Sequence, residues 1–293
     1  MVWQAVTGMR EFLFSIAYRM LGSVAEAEDV VQEALIRLEA ARPVDNERAF
    51  MTTITTRLSI DVLRSARVRR EAYVGEWLPE PLVEDPDVVE ADESVSLAAL
   101  VLLERLSPVE RAVFVLRESF DFEFSEIAQI VERSEDNCRQ ILSRARRRVA
   151  EDKPRFDADP LERRTLAARF VAAAREGDLD GLVALLAPNA VLVGDGGGRA
   201  RAIPRPMTGA LAIARAMVKF YGQVQEWGVT VEAVRVNGQP GFRALDGEGA
   251  VVAVVSLQVH GGQVAAIHSV VNPDKLAHLG ATSRLALRPS AQN

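Results

Sequence analysis

In the last half of the chain the candidates for a general acid-base pair are Asp195, Asp246, His260 and His268. An acid-base enzyme would need two such groups facing one substrate pocket. Their spacing forms no recognisable constellation, and a lone histidine in an alternating strand is more often packed or hydrogen-bonded than catalytic. We therefore assign no catalytic residue, no metal ligand and no cofactor, and expect that the protein is not an enzyme.

Asp195 begins a glycine cluster, DGGGR, at residues 195–199. Glycines can cradle a phosphate where they open a helix, as in nucleotide-binding loops. These glycines do not open a helix, so a tight turn is the better interpretation.

Arginines carry the remaining chemistry, in two short segments with helical spacing. The first holds Arg57, Arg64, Arg67, Arg69 and Arg70, and the second runs from Arg139 to Arg148 without an acidic residue. From Glu71 to Glu104 there is no Lys or Arg. Because non-specific nucleic-acid affinity comes mainly from phosphate neutralisation, a net charge of −6 argues against a general coat protein. Any DNA contact must be local.

Residues 124–149 predict two helices joined by a tight turn, with Ser125 and Ser134 as N-caps. In the second helix one apolar stripe should pack inward: Cys138, Ile141, Leu142, Ala145 and Val149. The outward face carries Arg139, Gln140, Ser143, Arg144 and Arg147. Arginine can grip phosphates or read guanine, and glutamine can pair with adenine, so this face indicates a recognition helix for the major groove. A solvated basic helix on an ordinary bundle is the alternative.

One residue of this motif is discordant. Glu132 occupies the position where a left-handed glycine commonly ends the first helix.

A chain of 293 residues with 48% apolar residues should form two or three domains. Apolar spacing predicts helices near 8–21, 25–41 and 46–70, and again between 97 and 150. Residues 72–96 are rich in acids and contain Gly75, Pro79, Pro81 and Pro86. They should form an extended, largely unpacked linker, with Trp77 as the exception.

After Pro154 the pattern becomes α+β with an antiparallel sheet. Helices are predicted near 161–176 and 209–222, and strands over 229–236, 249–259 and 263–271. The tail after Leu276 should be disordered. Cys138 is the single cysteine, typical of inert packing in a reducing cytoplasm, and we expect a cytoplasmic protein that is neither exported nor membrane-spanning.

Two regions resemble the domains of RNA polymerase sigma factors. Residues 13–38 (LFSIAYRMLGSVAEAEDVVQEALIRL) and 49–70 (AFMTTITTRLSIDVLRSARVRR) resemble domain 2 of the sigma-70 superfamily, and residues 103–149 resemble domain 4. Both in the right order are far more specific than either alone. The chain also resembles extracytoplasmic-function (ECF) sigma factors with a fused SnoaL-like domain, through WLPEP at 77–81, DGGGR at 195–199 and NPDKL at 272–276.

The resemblance implies core RNA polymerase, through its clamp helices and flap, and promoter DNA as partners. It implies polymerase contacts from Asp29, Val30, Gln32 and Glu33. It implies contacts to the −10 element from Phe50, Arg57, Asp61, Arg64 and Arg67. It implies contacts to the −35 element from Arg133, Arg139, Gln140, Ser143, Arg144 and Arg147. The expected order is sigma domain 2 over 1–72, an acidic linker over 73–96, sigma domain 4 over 97–153, a SnoaL-like domain over 160–279 and a disordered tail over 280–293.

For the C-terminal domain the resemblance implies an intramolecular regulator, with WLPEP docking near the other two motifs and Trp77 as its apolar anchor. The contact would comprise Trp77, Leu78, Pro79, Glu80, Pro81, Asp195, Gly196, Gly197, Gly198, Arg199, Asn272, Pro273, Asp274, Lys275 and Leu276. Promoter elements roughly two helical turns apart require a span of about 70 Å, and some 25 extended linker residues reach about 80 Å. Docking that constrains this span would shift the population between compact and competent forms, and a small-molecule ligand of the domain could bias it.

Two other functions remain open. A one-component regulator would sense a small molecule and bind an operator unaided, but would leave residues 10–70 unexplained. A SnoaL-like enzyme tethered to DNA-binding helices would need a pocket carboxylate essential for turnover.

Overall fold

The computed structural model describes residues 2–41, 43–84, 95–150 and 160–287. The chain forms two compact units, one of residues 1–72 and 100–153 and the other of residues 73–99 and 154–293. The two predicted helical regions thus share one unit. The acidic linker between them belongs with the C-terminal part of the chain.

The first helices follow the apolar spacing closely. They are α1 (Val2–Leu21), α2 (Val24–Ala41), α3 (Glu47–Glu71), α4 (Leu97–Leu103), α5 (Pro108–Phe120), α6 (Phe124–Val131) and α7 (Glu135–Ala150). Helices α1, α2 and α3 pack on one another around fully buried side chains such as Leu13, Met20 and Met51. This apolar burial is the main stabilising contribution to the bundle.

Capping side chains set the boundaries of the helix-turn-helix. The Asn137 N–H donates to Ser134 Oγ at 3.3 Å, which confirms Ser134 as the N-cap of α7. The prediction for Ser125 is wrong, because α6 begins at Phe124 and its N-cap is Glu123, two residues before Ser125. The Glu126 carboxylate accepts the Glu123 N–H at 2.9 Å and completes that helix start.

The second unit is built on one seven-stranded sheet. Its strands are β1 (Val83–Glu84), β2 (Leu186–Asp195), β3 (Met207–Thr208), β4 (Thr230–Val236), β5 (Gln239–Leu245), β6 (Val251–His260) and β7 (Gln263–Val270), in the order β1-β4-β5-β6-β7-β2-β3. The prediction of a purely antiparallel sheet is wrong at one pairing, since β2 and β7 are parallel. The chain between these two strands forms β3, a helix (Ala210–Glu226), β4, β5 and β6. Strand β7 then lies beside β2 and runs in the same direction.

Helices α8 (Pro160–Glu176), α9 (Leu179–Leu185) and α10 (Ala210–Glu226) pack against one face of this sheet. Their apolar side chains form a core with the sheet that includes Phe170, Ile213 and Phe242. A short helix, α11 (Pro273–Leu276), and a 3-10 turn (Ala277–Leu279) follow β7.

Two regions predicted to be loose are ordered. Leu78 is buried and Val83 pairs with Val236, so residues 73–84 are packed rather than extended in solvent. The remaining linker residues 85–94 lie outside the described residues. In the tail, the Val251 N–H donates to the Ala281 carbonyl at 2.8 Å and the Arg201 N–H to the Ala286 carbonyl at 2.8 Å. The tail prediction is wrong through residue 287, and residues 288–293 lie outside the described part.

Within the described residues, no helix combines the length and apolar character that crossing a membrane requires.

Candidate functional site

The structure brings the three motifs of the linker and C-terminal domain together around one buried carboxylate. Asp195, at the end of β2, is fully buried. Its Oδ2 accepts the Leu78 N–H at 2.8 Å, and its Oδ1 accepts the Tyr73 hydroxyl at 2.5 Å and the Gly197 N–H at 3.0 Å. Both carboxylate oxygens are therefore used to hold the linker.

Lys275 supplies the countercharge. Its Nζ lies 2.7 Å from Asp195 Oδ2 and also donates to the Leu78 carbonyl. The lysine side chain is 8% exposed. A buried pair of this kind is stable only while both partners and their hydrogen bonds are present.

Two aromatic rings of the linker enclose the lysine. Nζ lies 4.0 Å from the Trp77 ring centre and 4.9 Å from that of Tyr73, within cation-π range. Burial and the Asp195 carboxylate raise the pKa of Tyr73 well above its usual value. Tyr73 also accepts the Asn272 side-chain amide at 2.8 Å, which joins the third motif to the linker.

The glycines of DGGGR are required by this packing. Gly197 and Gly198 have φ of 56° and 73°, in the left-handed region. A Cβ at Gly197 would lie 2.3 Å from Asn272 Nδ2, and one at Gly198 would lie 3.1 Å from Val74 Cβ. The Arg199 and Ala200 N–H groups both donate to the Gly196 carbonyl at 2.9 Å, which confirms the predicted tight turn, and the linker packs closely against Gly198.

Other motif residues close the edges of the contact. Arg199 pairs with Asp274 at the exposed rim, and Pro79, Pro81 and Leu276 are buried.

A second attachment of the linker was not predicted. Asn237, buried in the turn between β4 and β5, accepts the Leu82 N–H on Oδ1 at 3.0 Å and donates its own N–H to the Leu82 carbonyl at 2.8 Å. Its Nδ2 donates to the Val95 carbonyl at 3.1 Å. One asparagine thus holds both sides of residues 83–94.

Sequence reasoning also missed Tyr73 and His278, whose Nε2 lies 2.9 Å from the Pro81 carbonyl. None of these residues lies in a recognisable motif. An Asn-Gly pair between two β segments was the one available signal for Asn237, as a hairpin turn.

A cavity of about 180 Å³ lies on the helix-covered side of the sheet. Apolar side chains from β2, α10 and β5–β7 form most of its wall, with Arg201 and Ser269 among the polar lining residues. Ala202 and Ile203, which follow DGGGR, also line it. The glycine turn therefore touches the linker while the residues that follow it line the cavity.

The four acid-base candidates do not converge. Asp195 is engaged by the linker, and Asp246 accepts the Ala250 N–H at 2.9 Å in the turn before β6. His260 ends β6 at an exposed position, whereas His268 is buried in β7 and burial lowers its pKa to about 4. Across the described ranges, no group of three or more His, Cys, Asp or Glu could hold a metal ion.

In the first unit, α2 presents three of the four expected polymerase contacts. Asp29 and Gln32 are exposed and Glu33 is half-buried, 2.7 Å from Arg37, whereas Val30 packs in the core. Ile36, with 57% of its surface exposed, lies on the same helix face one turn after Gln32. A single exposed isoleucine is common on protein surfaces, so by itself it adds no evidence for a binding surface on α2.

Helix α7 has the predicted division of faces. Its apolar stripe, including Cys138 and Ala145, is buried, and burial raises the pKa of the Cys138 thiol. Gln140, Ser143, Arg144 and Arg147 are exposed, as is Arg133 in the turn. Arg139 is also exposed, but it pairs with Glu135 at 3.1 Å on its own helix.

On α3, Phe50 is half-buried and Asp61 pairs with Arg64 at 3.0 Å. The side chain of Arg67 lies outside the described residues. Arg57 is directed to α6: its Nε and Nη2 donate to the Ile130 and Gln129 carbonyls at 2.9 and 3.0 Å. Its Nη1 lies 3.0 Å from Glu132 Oε1.

Further contacts join the two helical regions of this unit. Arg111 on α5 is buried, and its Nη1 donates to the Met20 carbonyl and to Glu104, both at 2.7 Å. Phe12 on α1 packs edge-to-face on Phe120 of α5, with ring centres 5.4 Å apart. The residues of α3 and of the helix-turn-helix that are expected to contact DNA therefore belong to one packed unit.

Comparison with known proteins agrees with this arrangement. The family model for Sigma-70 region 2 matches residues 6–69, that for Sigma-70 region 4 matches residues 96–149, and that for the SnoaL-like domain matches residues 167–272.

Two curated relatives from Mycobacterium tuberculosis are similar along nearly the whole length. The ECF RNA polymerase sigma factor SigJ is 38% identical over 91% of this chain and 90% of its own, and the probable ECF sigma factor SigI is 33% identical over 93% of each. The crystal structure of M. tuberculosis SigJ matches with a TM-score of 0.76 and 33% identity, covering 94% of this chain and 98% of that one. The chain therefore belongs to the ECF sigma factors of the sigma-70 family, with a SnoaL-like domain after region 4.

Proposed function

We propose that this sigma factor is held in a compact, weakly active form by its own C-terminal domain, which binds the linker between regions 2 and 4. When the linker is released, α2 binds the clamp helices of core RNA polymerase, α3 binds the −10 element and α7 binds the −35 element. The flap is the proposed polymerase contact of region 4. As its partners are the polymerase and promoter DNA, we propose that it acts in the cytoplasm.

The observation that carries this proposal is the double attachment of the linker. The Asp195 and Lys275 pair holds Leu78, and Asn237 holds Leu82 and Val95. Because Leu82 and Val95 bond one residue, the twelve positions between them add almost no length. A free linker of some 25 residues would reach about 80 Å, more than the two promoter elements require, whereas the attached linker cannot extend.

Packing between regions 2 and 4 supports the same conclusion. Arg111 and the Phe12–Phe120 pair hold α5 against α1. A sigma factor must present both regions to separate promoter elements, so stabilising their mutual contact favours the compact form.

The test is promoter-specific transcription by purified core polymerase with the full chain and with Trp77→Ala, which removes the ring over Lys275. Trp227→Ala is the matched control, because Trp227 is a partly exposed tryptophan at the C-cap of α10. We expect the same start site for all three and several-fold higher output for Trp77→Ala alone. Equal output from a correctly folded Trp77→Ala chain would overturn the regulatory proposal without affecting the family assignment.

A ligand of the cavity could bias this equilibrium, and its chemistry is readable from the lining. A cavity of about 180 Å³ suits one aromatic ring or a short branched chain, since apolar cavities near 150 Å³ bind benzene. Arg201 favours a molecule that also carries a carboxylate. Binding of 4-ethylbenzoate, followed by NMR, should be weakened by Arg201→Gln, whereas binding of ethylbenzene should not; no binding of either probe would exclude this ligand class.

A further inference from the structure

Arg57 makes a three-point contact with the end of another helix. Its guanidinium reaches from α3 to the last turn of α6, where it meets two backbone carbonyls and the carboxylate of Glu132, all within 3.0 Å. The contact joins residues more than 70 positions apart in the sequence. It therefore links region 2 directly to the first helix of the region 4 helix-turn-helix.

The partner of Arg57 is an anionic array of oxygens. The last carbonyls of a helix have no intrahelical partner and lie at the negative end of its dipole. Glu132 adds a full negative charge beside them. A guanidinium fork binds such an array through the same geometry with which it binds a phosphate.

Glu132 itself has an unusual backbone. It is the C-cap of α6 with φ 54° and ψ 53°, a left-handed conformation that glycine or asparagine adopts more readily. A glycine would close the helix equally well but would carry no carboxylate. The contact with Arg57 is therefore a structural reason for a glutamate at this position.

We propose that the C-terminal end of α6 is a phosphate mimic, and that Arg57 exchanges it for a backbone phosphate of promoter DNA when regions 2 and 4 separate. This inference rests on the proposed function, because it assumes that the compact form gives way to an open one on the promoter. The two partners compete for one guanidinium, so DNA binding and closure exclude each other at this point.

The contact is suited to reversible use. The side chains of Arg57 and Glu132 are 45% and 72% exposed, so their ion pair is screened by solvent and salt and is weak by itself. DNA phosphates can displace it without first unfolding a core.

The first measurement is the separation of regions 2 and 4 in the full chain. Dyes at Glu39→Cys and Ser125→Cys, in a Cys138→Ala background, report it by energy transfer. We expect Glu132→Gly and Glu132→Gln to raise the ratio of open to compact chain by about 1.4- to fivefold, the range of weak exposed pairs. Asp121→Gly is the matched control, because Asp121 also ends a helix with φ 54° and its carboxylate forms no ion pair with a described residue.

The second measurement is promoter binding by the holoenzyme across a range of salt concentrations. Arg57→Ala should open the free chain as Glu132→Gln does, but should also lower the slope of log affinity against log salt by about one, the loss of one phosphate contact. Glu132→Gln should leave that slope unchanged. The phosphate-mimic proposal would be overturned if the dye separation were unchanged in both Glu132 variants. It would also be overturned if Arg57→Ala left the slope of log affinity against log salt unchanged. In that case a response to Trp77→Ala would still support linker control.

Discussion

Asn237 donates its side-chain amide to the carbonyl of Val95, 142 residues earlier in the chain, at 3.1 Å. The same residue pairs through its backbone and side chain with Leu82. The linker between the two promoter-binding regions is thereby closed into a loop on one β turn. The proposed regulation depends on that closure, because a closed linker cannot span two promoter elements.

Replacing Asn237 should release the linker while leaving the turn intact. Asn237→Gly tolerates the left-handed backbone at φ 52° but removes both side-chain hydrogen bonds. Each is worth about 1 kcal/mol, so losing both should make the Leu82 amide exchange with solvent roughly thirtyfold faster. Hydrogen exchange measured by mass spectrometry checks this. Asn237→Asp, which keeps the acceptor for Leu82 and loses the donor to Val95, should lie between; exchange unchanged in both variants would contradict the closure.

The buried ion pair should be sensitive to the loss of either partner. Asp195→Asn keeps the shape of the side chain but leaves Lys275 charged and buried, which should destabilise the second unit by about 3 kcal/mol. Urea unfolding of the full chain measures this. Asp180→Asn, at an exposed position of α9, is the control and should change stability by less than about 1 kcal/mol. Lys275→Met in the Asp195→Asn chain should recover part of the loss, and failure to do so would mean that the charge is not the cause.

Acid should weaken the C-terminal domain through His268. Burial lowers the pKa of this histidine to about 4 in the folded chain, below its ordinary value of 6.5. Between these values the unfolded state binds more protons, so stability falls as the pH falls from 6.5 toward 4, by about 3 kcal/mol in total. His268→Gln should flatten this part of the curve of unfolding free energy against pH. A curve identical to that of the unchanged chain would place the acid sensitivity elsewhere.

Arg111 should be important for the packing of regions 2 and 4. Its guanidinium satisfies the Met20 carbonyl and Glu104 in a buried position. Arg111→Met fills a similar volume but leaves both acceptors without this donor, so we expect the first unit to lose about 2–4 kcal/mol. Near-UV circular dichroism and urea unfolding would measure the loss. Arg117→Met, on the same helix but partly exposed, serves as the control and should cost markedly less.

Local patterns predicted the elements well, and distant contacts could not be predicted. The stripe through Cys138 and Ala145 follows from helical period alone, as do the first three helices. Strand β5 was missed because Pro240 and Gly241 are typical of loops, yet Gly241 is needed where a Cβ would lie 2.2 Å from the Val255 carbonyl oxygen.

In the candidate sites, too, short motifs were predictable from the sequence and contacts between distant residues were not. The resemblance of three short motifs predicted the cluster around Asp195, and the structure brings those motifs together. Asn237 and Arg57 act through partners far away in sequence, which no spacing rule indicates. Glu132 stood out in the sequence only as a charged residue where a left-handed glycine is common, and its contact with Arg57 was not predicted.

The most direct test measures linker release and transcription on the same proteins. The unchanged chain, Trp77→Ala, Asn237→Asp and Asn237→Gly form a series in which exchange at the Leu82 amide reports release, and run-off transcription with core polymerase reports activity. Linker control predicts that initiation from one start site rises in the order in which exchange rises. Variants with a released linker and unchanged initiation would contradict it.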